Sequence, residues 1–160
     1  MEDCNKCATP AETSPVGADI DGEAFNETWE YASVVGMLMY LASNTRPDIS
    51  YAVHQAARYS HGTRNSHAIA VKRILRYLKG TKDKGIIFKP NKSNKIDCHV
   101  DSDFAGLFSV EDGLKPICAK SRTGYVIKYC DVPILWVSKM QTQIALSTME
   151  AEYIALSLNQ

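Results

Sequence analysis

Two pairs of acids stand out: Asp101-Ser-Asp103 at the end of a strand-like run, and Glu150-Ala-Glu152 at the start of a helix-like run. Carboxylates delivered from a strand end and a helix can meet and hold divalent metal ions. Such ions clamp the attacking and leaving oxygens of a phosphodiester, a common design in enzymes that cut nucleic-acid backbones. The sequence runs only eight residues past Glu152, to Gln160. Centres of this kind usually need more than two carboxylates, so the stop matters as much as the acids.

Geometry separates the glutamates. Residues two apart on a helix point about 200° apart, so Glu150 and Glu152 do not face one site. Ser147-Thr148-Met149-Glu150 fits a capping box, in which Ser147 caps and Glu150 reaches back to the N-cap amide. Glu152 is left free beside the apolar stripe of Ala151, Ile154, Ala155 and Leu158. For Asp101 and Asp103 two readings stay open: a solvated strand exit, where aspartate is common, or metal ligation at a sheet end. Glu152 is either a surface glutamate or a ligand.

Other chemistry is weaker. His54, His61, His67 and His99 show no ligand spacing, and Ser147 has no nucleophile-elbow context. Gly80-x4-Gly85 lacks the Lys-Ser/Thr of a phosphate loop. Cys4-x-x-Cys7 is half a zinc site, but Cys98, Cys118 and Cys130 make no second close pair. Five cysteines read as reduced thiols, not as a disulfide framework.

A formal net charge of zero gives no global attraction to nucleic acid, so any such binding needs a local patch. Lys72, Arg76 and Lys79 recur at i, i+4 and i+7, with Arg73 at the edge, opposite Ile74, Leu75 and Leu78. This stripe is either a solvated helix face or a phosphate-neutralising surface whose binding weakens steeply with salt. No apolar run reaches the ~18 residues of a membrane span. The polar N-terminus is unlike a signal peptide, so the expected place is intracellular, cytoplasm or nucleus, without membrane contact.

These residues must be positioned by a small set of elements. Residues 1–25 read as a flexible N-terminal segment rich in Pro and Gly. Residues 26–84 read as a helical segment. Its first helix starts near Asn26, its second spans about residues 48–60, and its third runs from Ser66 to a C′ glycine at Gly80. The hydrophobic period then shortens. Residues 85–89 read as a short strand, and Ile96, Cys98 and Val100 alternate with polar neighbours as a half-buried strand. Residues 106–122 are irregular. A strand over 123–129, a tight turn at Cys130-Asp131 and a buried strand over 134–137 precede the last helix. The expected fold class is α+β: three helices, then a three-strand antiparallel meander plus a helix.

Several runs together resemble the Pol polyprotein of copia-type (Ty1/copia) retrotransposons. They include Met1-Glu-Asp-Cys-Asn, Tyr31-Ala-Ser-Val-Val-Gly-Met-Leu-Met-Tyr-Leu, Thr45-Arg-Pro-Asp-Ile-Ser-Tyr-Ala-Val and Lys72-Arg-Ile-Leu-Arg-Tyr-Leu-Lys-Gly-Thr. Asp101-Ser-Asp-Phe-Ala-Gly, Ser121-Arg-Thr-Gly-Tyr-Val and Leu146-Ser-Thr-Met-Glu-Ala-Glu-Tyr-Ile-Ala-Leu follow in family order. The resemblance implies the tail of a reverse transcriptase (26–84) followed by a ribonuclease H-like domain (85–160). It implies hydrolysis of the RNA strand of RNA–DNA hybrids by two magnesium ions about 3.5–4 Å apart. Asp101 matches the family's first catalytic aspartate and Glu152 its glutamate. Asp103 is then an auxiliary metal acid and Glu150 structural. Phe104 stands where the family has tryptophan.

The family's next catalytic aspartate lies on a strand beyond the last helix, past Gln160. The resemblance therefore implies an incomplete sheet with later strands missing, weak magnesium binding, and little or no cleavage by this truncated chain. It implies as partners a hybrid or other nucleic acid and the C-terminal part of the polyprotein. An unpaired edge beside residues 96–101 would favour aggregation. A different reading comes from Arg73-Ile74-Leu75-Arg76. It spells R-x-L-R and resembles the host-entry signature of secreted oomycete effectors, non-enzymatic proteins with host partners.

Overall fold

The computed structural model describes residues 4–89, 91–92, 94–108 and 116–157. Two compact units divide the chain, Met1–Gly85 and Ile86–Gln160. The first is helical: α1 (Tyr31–Asn44), α2 (Ser50–Ala57) and α3 (Asn65–Gly80). Its core forms where apolar residues at helical spacing converge, including Val35, Leu38, Ile49, Val53, Val71 and Ile74.

The helix borders differ from the sequence expectation in informative ways. α1 begins at Tyr31, not near Asn26. Phe25 meets Trp29 edge-on at 5.1 Å and Trp29 stacks on Tyr31 at 5.9 Å. That packing goes with an extended Glu30 and an end to helical geometry before it. Pro47 opens a short 3-10 turn, Pro47–Ile49, which feeds α2, and α2 ends at Ala57. α3 starts one residue early and ends at Gly80, as its spacing predicts. Gly80 does not take the left-handed C′ conformation. A Cβ there would lie 3.3 Å from Lys6 Cβ. Glycine serves close chain passage here.

The Thr45-Arg46-Pro47-Asp48 corner is held by one guanidinium. Arg46 pairs with both Asp48 oxygens (2.9 and 2.7 Å) and reaches Thr81 O and Oγ1 (3.3 and 2.7 Å). Tyr77 donates to Asp48 at 2.7 Å and lies under the Arg46 charge. Burial pushes the Asp48 carboxyl up, but the hydrogen bonds from Arg46 and Tyr77 outweigh it, and the pKa falls below its ordinary value. Tyr31 donates to Ala56 O at 2.9 Å, and burial pushes its phenol up to about 12.

From Cys4 to Glu27 the chain runs as a strap hydrogen-bonded to α3 and its flanks. His67 explains one anchor. It is fully buried, stacks on Tyr59 at 4.2 Å, accepts from the Arg64 amide and contacts Gly17 O at 2.9 Å.

The second unit holds β1 (Ile96–Ser102), β2 (Arg122–Tyr129), β3 (Val132–Met140) and α4 (Thr148–Ser157). The strands form an antiparallel meander in the order β1-β2-β3. The α+β architecture expected from sequence is present. Cys130 and Asp131 both take positive φ (50° and 68°), as a two-residue hairpin requires. Two strand readings need correction. Residues 85–89 form no strand, and Ile87 and Phe88 stand exposed. They gain no ladder partner among the described residues. The run Ile134-Leu135-Trp136-Val137 is not buried: Ile134 and Leu135 are exposed, because β3 is an edge strand with a register shift opposite Ile127/Lys128. Of the 106–122 stretch, residues 109–115 lie outside the described residues, as do Leu158 and Gln160.

Candidate functional site

β1 carries Asp101 near its end, paired in register with Gly124. α4 lies against β1 and touches β2, so the helix bearing Glu152 adjoins the strand bearing Asp101. Buried Gln141 secures that helix. Its side-chain amide donates to Thr123 Oγ1 at 3.0 Å and to Ala151 O at 2.9 Å, joining β2 to α4.

The four acids divide into two that are engaged and two that are not. Glu150 accepts from the Leu146 amide at 2.7 Å, and the Glu150 amide donates to Ser147 Oγ at 3.1 Å. This is the expected capping arrangement, with the glutamate reaching one residue further back than the N-cap amide. Asp103 is also occupied. Its amide donates to Arg122 O at 3.1 Å and its Oδ1 accepts from the Arg122 amide. A Cβ on Gly106 would sit 2.6 Å from Asp103 Oδ2, so the glycine makes room for this carboxylate. Burial raises the Asp103 pKa, against the lowering hydrogen bond from Arg122, and the Asp101 charge adds a smaller upward push. Among the described residues, the side chains of Asp101 and Glu152 have no hydrogen-bond or ion-pair partner. Asp101 is exposed and Glu152 half-buried.

Hard carboxylate oxygens suit magnesium or a similar cation. Asp101 and Glu152 offer oxygens of this kind from adjoining elements. Among the described residues no group of three His, Cys, Asp or Glu could hold a metal. Cys4 and Cys7 belong to no such group either.

The basic stripe is engaged throughout. Lys72 pairs with Glu27 at 2.5 Å, and Arg73 with Glu12 at 2.9 Å and Thr9 at 3.0 Å. Arg76 donates to Asn5 O at 2.7 Å, and Lys79 to Cys4 O at 3.0 Å. The strap thus occupies all four cations that the sequence offered to phosphate.

The chain is similar in sequence to known proteins. The chain is 40% identical over 91% of its length to the retrovirus-related Pol polyprotein from transposon RE2 of Arabidopsis thaliana. It is 41% identical over 78% of its length to that from transposon TNT 1-94 of Nicotiana tabacum. The chain belongs to the copia-type retrotransposon Pol family. It spans 9% of the length of each of these copia-type polyproteins. No family model matches the chain. No solved structure matches it.

The copia-type chain is also 38% identical, over 79% of its length, to secreted RxLR effector protein 161 of Plasmopara viticola, covering 84% of that protein. Given these coverages, that match and the match to RE2 overlap over most of the chain. The R-x-L-R run itself sits inside α3. Ile74 is buried, Leu75 packs on the core, and Arg73 and Arg76 are tied to the strap. Among the described residues, no helix is long and apolar enough to cross a membrane.

Sequence reasoning missed Gln141 and the strap. A glutamine after a strand carries no pattern. The strap's signal was faint: Glu12, Glu27 and α3's cations are of opposite sign, but they lie 45 and 61 positions apart.

Proposed function

We propose that this chain supplies Asp101 and Glu152 to the metal site of a ribonuclease H-type centre within a Pol-type protein. Alone, it cleaves weakly or not at all. The observation that carries this reading is the division among the acids: Glu150 and Asp103 are engaged locally, while Asp101 and Glu152, on adjoining elements, are not. They would hold a magnesium ion, which when bound activates water and stabilises a leaving oxygen. The chain's own work is to hold two carboxylates in place through β1, the capped α4 and the Gln141 bridge. The substrate is the RNA strand of an RNA–DNA hybrid, and the partners are that hybrid and other parts of the polyprotein. Lys72, Arg73, Arg76 and Lys79 contact phosphate only where the strap yields them.

Two measurements test this. Manganese should selectively broaden amide resonances around Asp101 and Glu152, and Asp101→Asn should weaken that effect. A labelled hybrid incubated with the chain and magnesium should be cut no faster than with Asp101→Asn. Robust cleavage lost in Asp101→Asn would overturn the inactivity, and absence of broadening would overturn the site.

A second reading, a secreted effector without enzymatic activity, rests on the match covering 84% of the Plasmopara viticola protein. Secretion of a tagged chain from its native cell would favour it. The engagement of residues 73–76 within α3 weighs against a freely displayed motif.

A further inference from the structure

The strap carries two hydroxyl residues that precede proline, Thr9-Pro10 and Ser14-Pro15. Thr9 and Ser14 are both exposed, and residues 8–15 form no helix or strand. A following proline disfavours the helical region for the residue before it and biases that backbone towards extension. Proline-directed protein kinases accept an exposed hydroxyl in that setting. The strap is anchored on either side of this stretch. Asn5 O and Cys7 N bond to Arg76, and Val16 O and Gly17 O bond to Tyr59 and His67.

The two sites differ in what surrounds the hydroxyl. Thr9 Oγ1 accepts from Arg73 Nη2 at 3.0 Å and donates to Ala11 O at 2.9 Å. Among the described residues, Ser14 bonds to no cation. A phosphoryl group on Thr9 Oγ1 would therefore form beside a guanidinium that already touches that oxygen. Arg76, three residues on along α3, adds positive charge on the same side. Two costs stand against this. The ester oxygen no longer donates to Ala11 O, and Glu12 on Arg73 Nη1 is a like charge. The Glu12 side chain is 67% exposed, so it can turn to water. A phosphate bonded to guanidinium is stronger than the contact with a neutral hydroxyl that it replaces. The balance favours a phosphate held on Arg73.

We propose that Thr9 is a phosphorylation site for a proline-directed protein kinase, and that the phosphate locks the strap onto α3. The kinase transfers the γ-phosphoryl group of ATP to Thr9 Oγ1. An O–P bond forms there, the γ-phosphorus parts from its bridging oxygen, and ADP leaves. The hydroxyl proton passes to the kinase's general base. Arg73 then grips phosphate oxygens in place of Glu12 and is withdrawn from any other phosphate. This site is independent of the acids on β1 and α4.

The test incubates the full chain with ATP, magnesium and a purified kinase of the mitogen-activated class, and mass spectrometry locates the label. Labelling at Thr9 is expected, and Pro10→Ala should lose most of it. Ser14→Ala then leaves a single phosphate to follow by phosphorus NMR. A phosphate held by a cation gives up its second proton at lower pH. The Thr9 phosphate should therefore titrate at lower pH in the chain than in a phosphopeptide of residues 4–18. Arg73→Gln should remove that difference. The peptide comparison leaves Arg73 intact, so it decides the matter even where the arginine variant folds poorly. Amide hydrogen exchange over residues 8–16 should slow on phosphorylation. Absence of label at Thr9 overturns the proposal, as does label undiminished in Pro10→Ala. A phosphate that titrates as it does in the peptide overturns it as well, and so does exchange that quickens.

Discussion

In the helical unit, Arg46, Lys72, Arg73, Arg76 and Lys79 all end on partners inside the unit. In the sheet unit, Asp101 and Glu152 end on none among the described residues. The contrast separates charge used as structure from charge left over for chemistry. Cations that staple a strap or a corner give up availability in return for order. Carboxylates left bare cost the fold little and stay available for a ligand. The intermediate cases sharpen the point: Asp103 and Glu150 look like site residues by spacing, yet each satisfies backbone amides.

The largest break in this contrast should come at the corner. Arg46→Ala removes a largely buried guanidinium that holds Asp48 and Thr81, and should cost about 2–4 kcal/mol. Urea unfolding followed by Trp29 fluorescence, with Trp136 replaced by Phe, reads the helical unit. The same corner sets a pH dependence. The Asp48 pKa is lowered in the folded state, so its stabilisation is present above the ordinary value of 3.8 and is lost as pH falls through the folded value. The stability gap between the parent and Asp48→Asn should therefore narrow from about pH 6 to about pH 3.

A smaller effect is expected at Gln141. Gln141→Leu leaves Thr123 Oγ1 and Ala151 O without their buried donor and should cost about 1–3 kcal/mol, read through Trp136. Smallest of all, Asp101→Asn and Glu152→Gln should change stability by less than about 0.5 kcal/mol while reducing the manganese effect. A large loss of stability in either would mean that these acids are structural after all, and the contrast would collapse.

Much of the fold was legible because it rests on local signals. The 3.6-residue period of α3, the two-residue turn at Cys130-Asp131 and the capping box at Ser147 each declare themselves within a few residues. The split between Glu150 and Glu152 followed from helix geometry and the capping box together, and the structure gives Glu150 the capping bonds. What stayed hidden depends on long-range contacts. The late start of α1 reflects aromatic packing among Phe25, Trp29 and Tyr31. The exposure of Ile134 and Leu135 reflects strand position at a sheet edge, which an apolar run does not encode. The auxiliary metal role of Asp103 was implied by the family resemblance; its bond to the Arg122 amide, 19 positions away, carries no signal in the sequence.

The strap has a consequence for how the chain acquires its structure. Asn5 and Cys4 bind side chains 71 and 75 positions later, on the last turns of α3. Closing so long a loop costs entropy that only a formed helix can repay. Within this unit, the residues that leave the ribosome first are therefore the last to settle. Until Lys79 has emerged, the nascent segment has helices to build but no rail on which to close, and assembly of the unit is paced by distance along the chain.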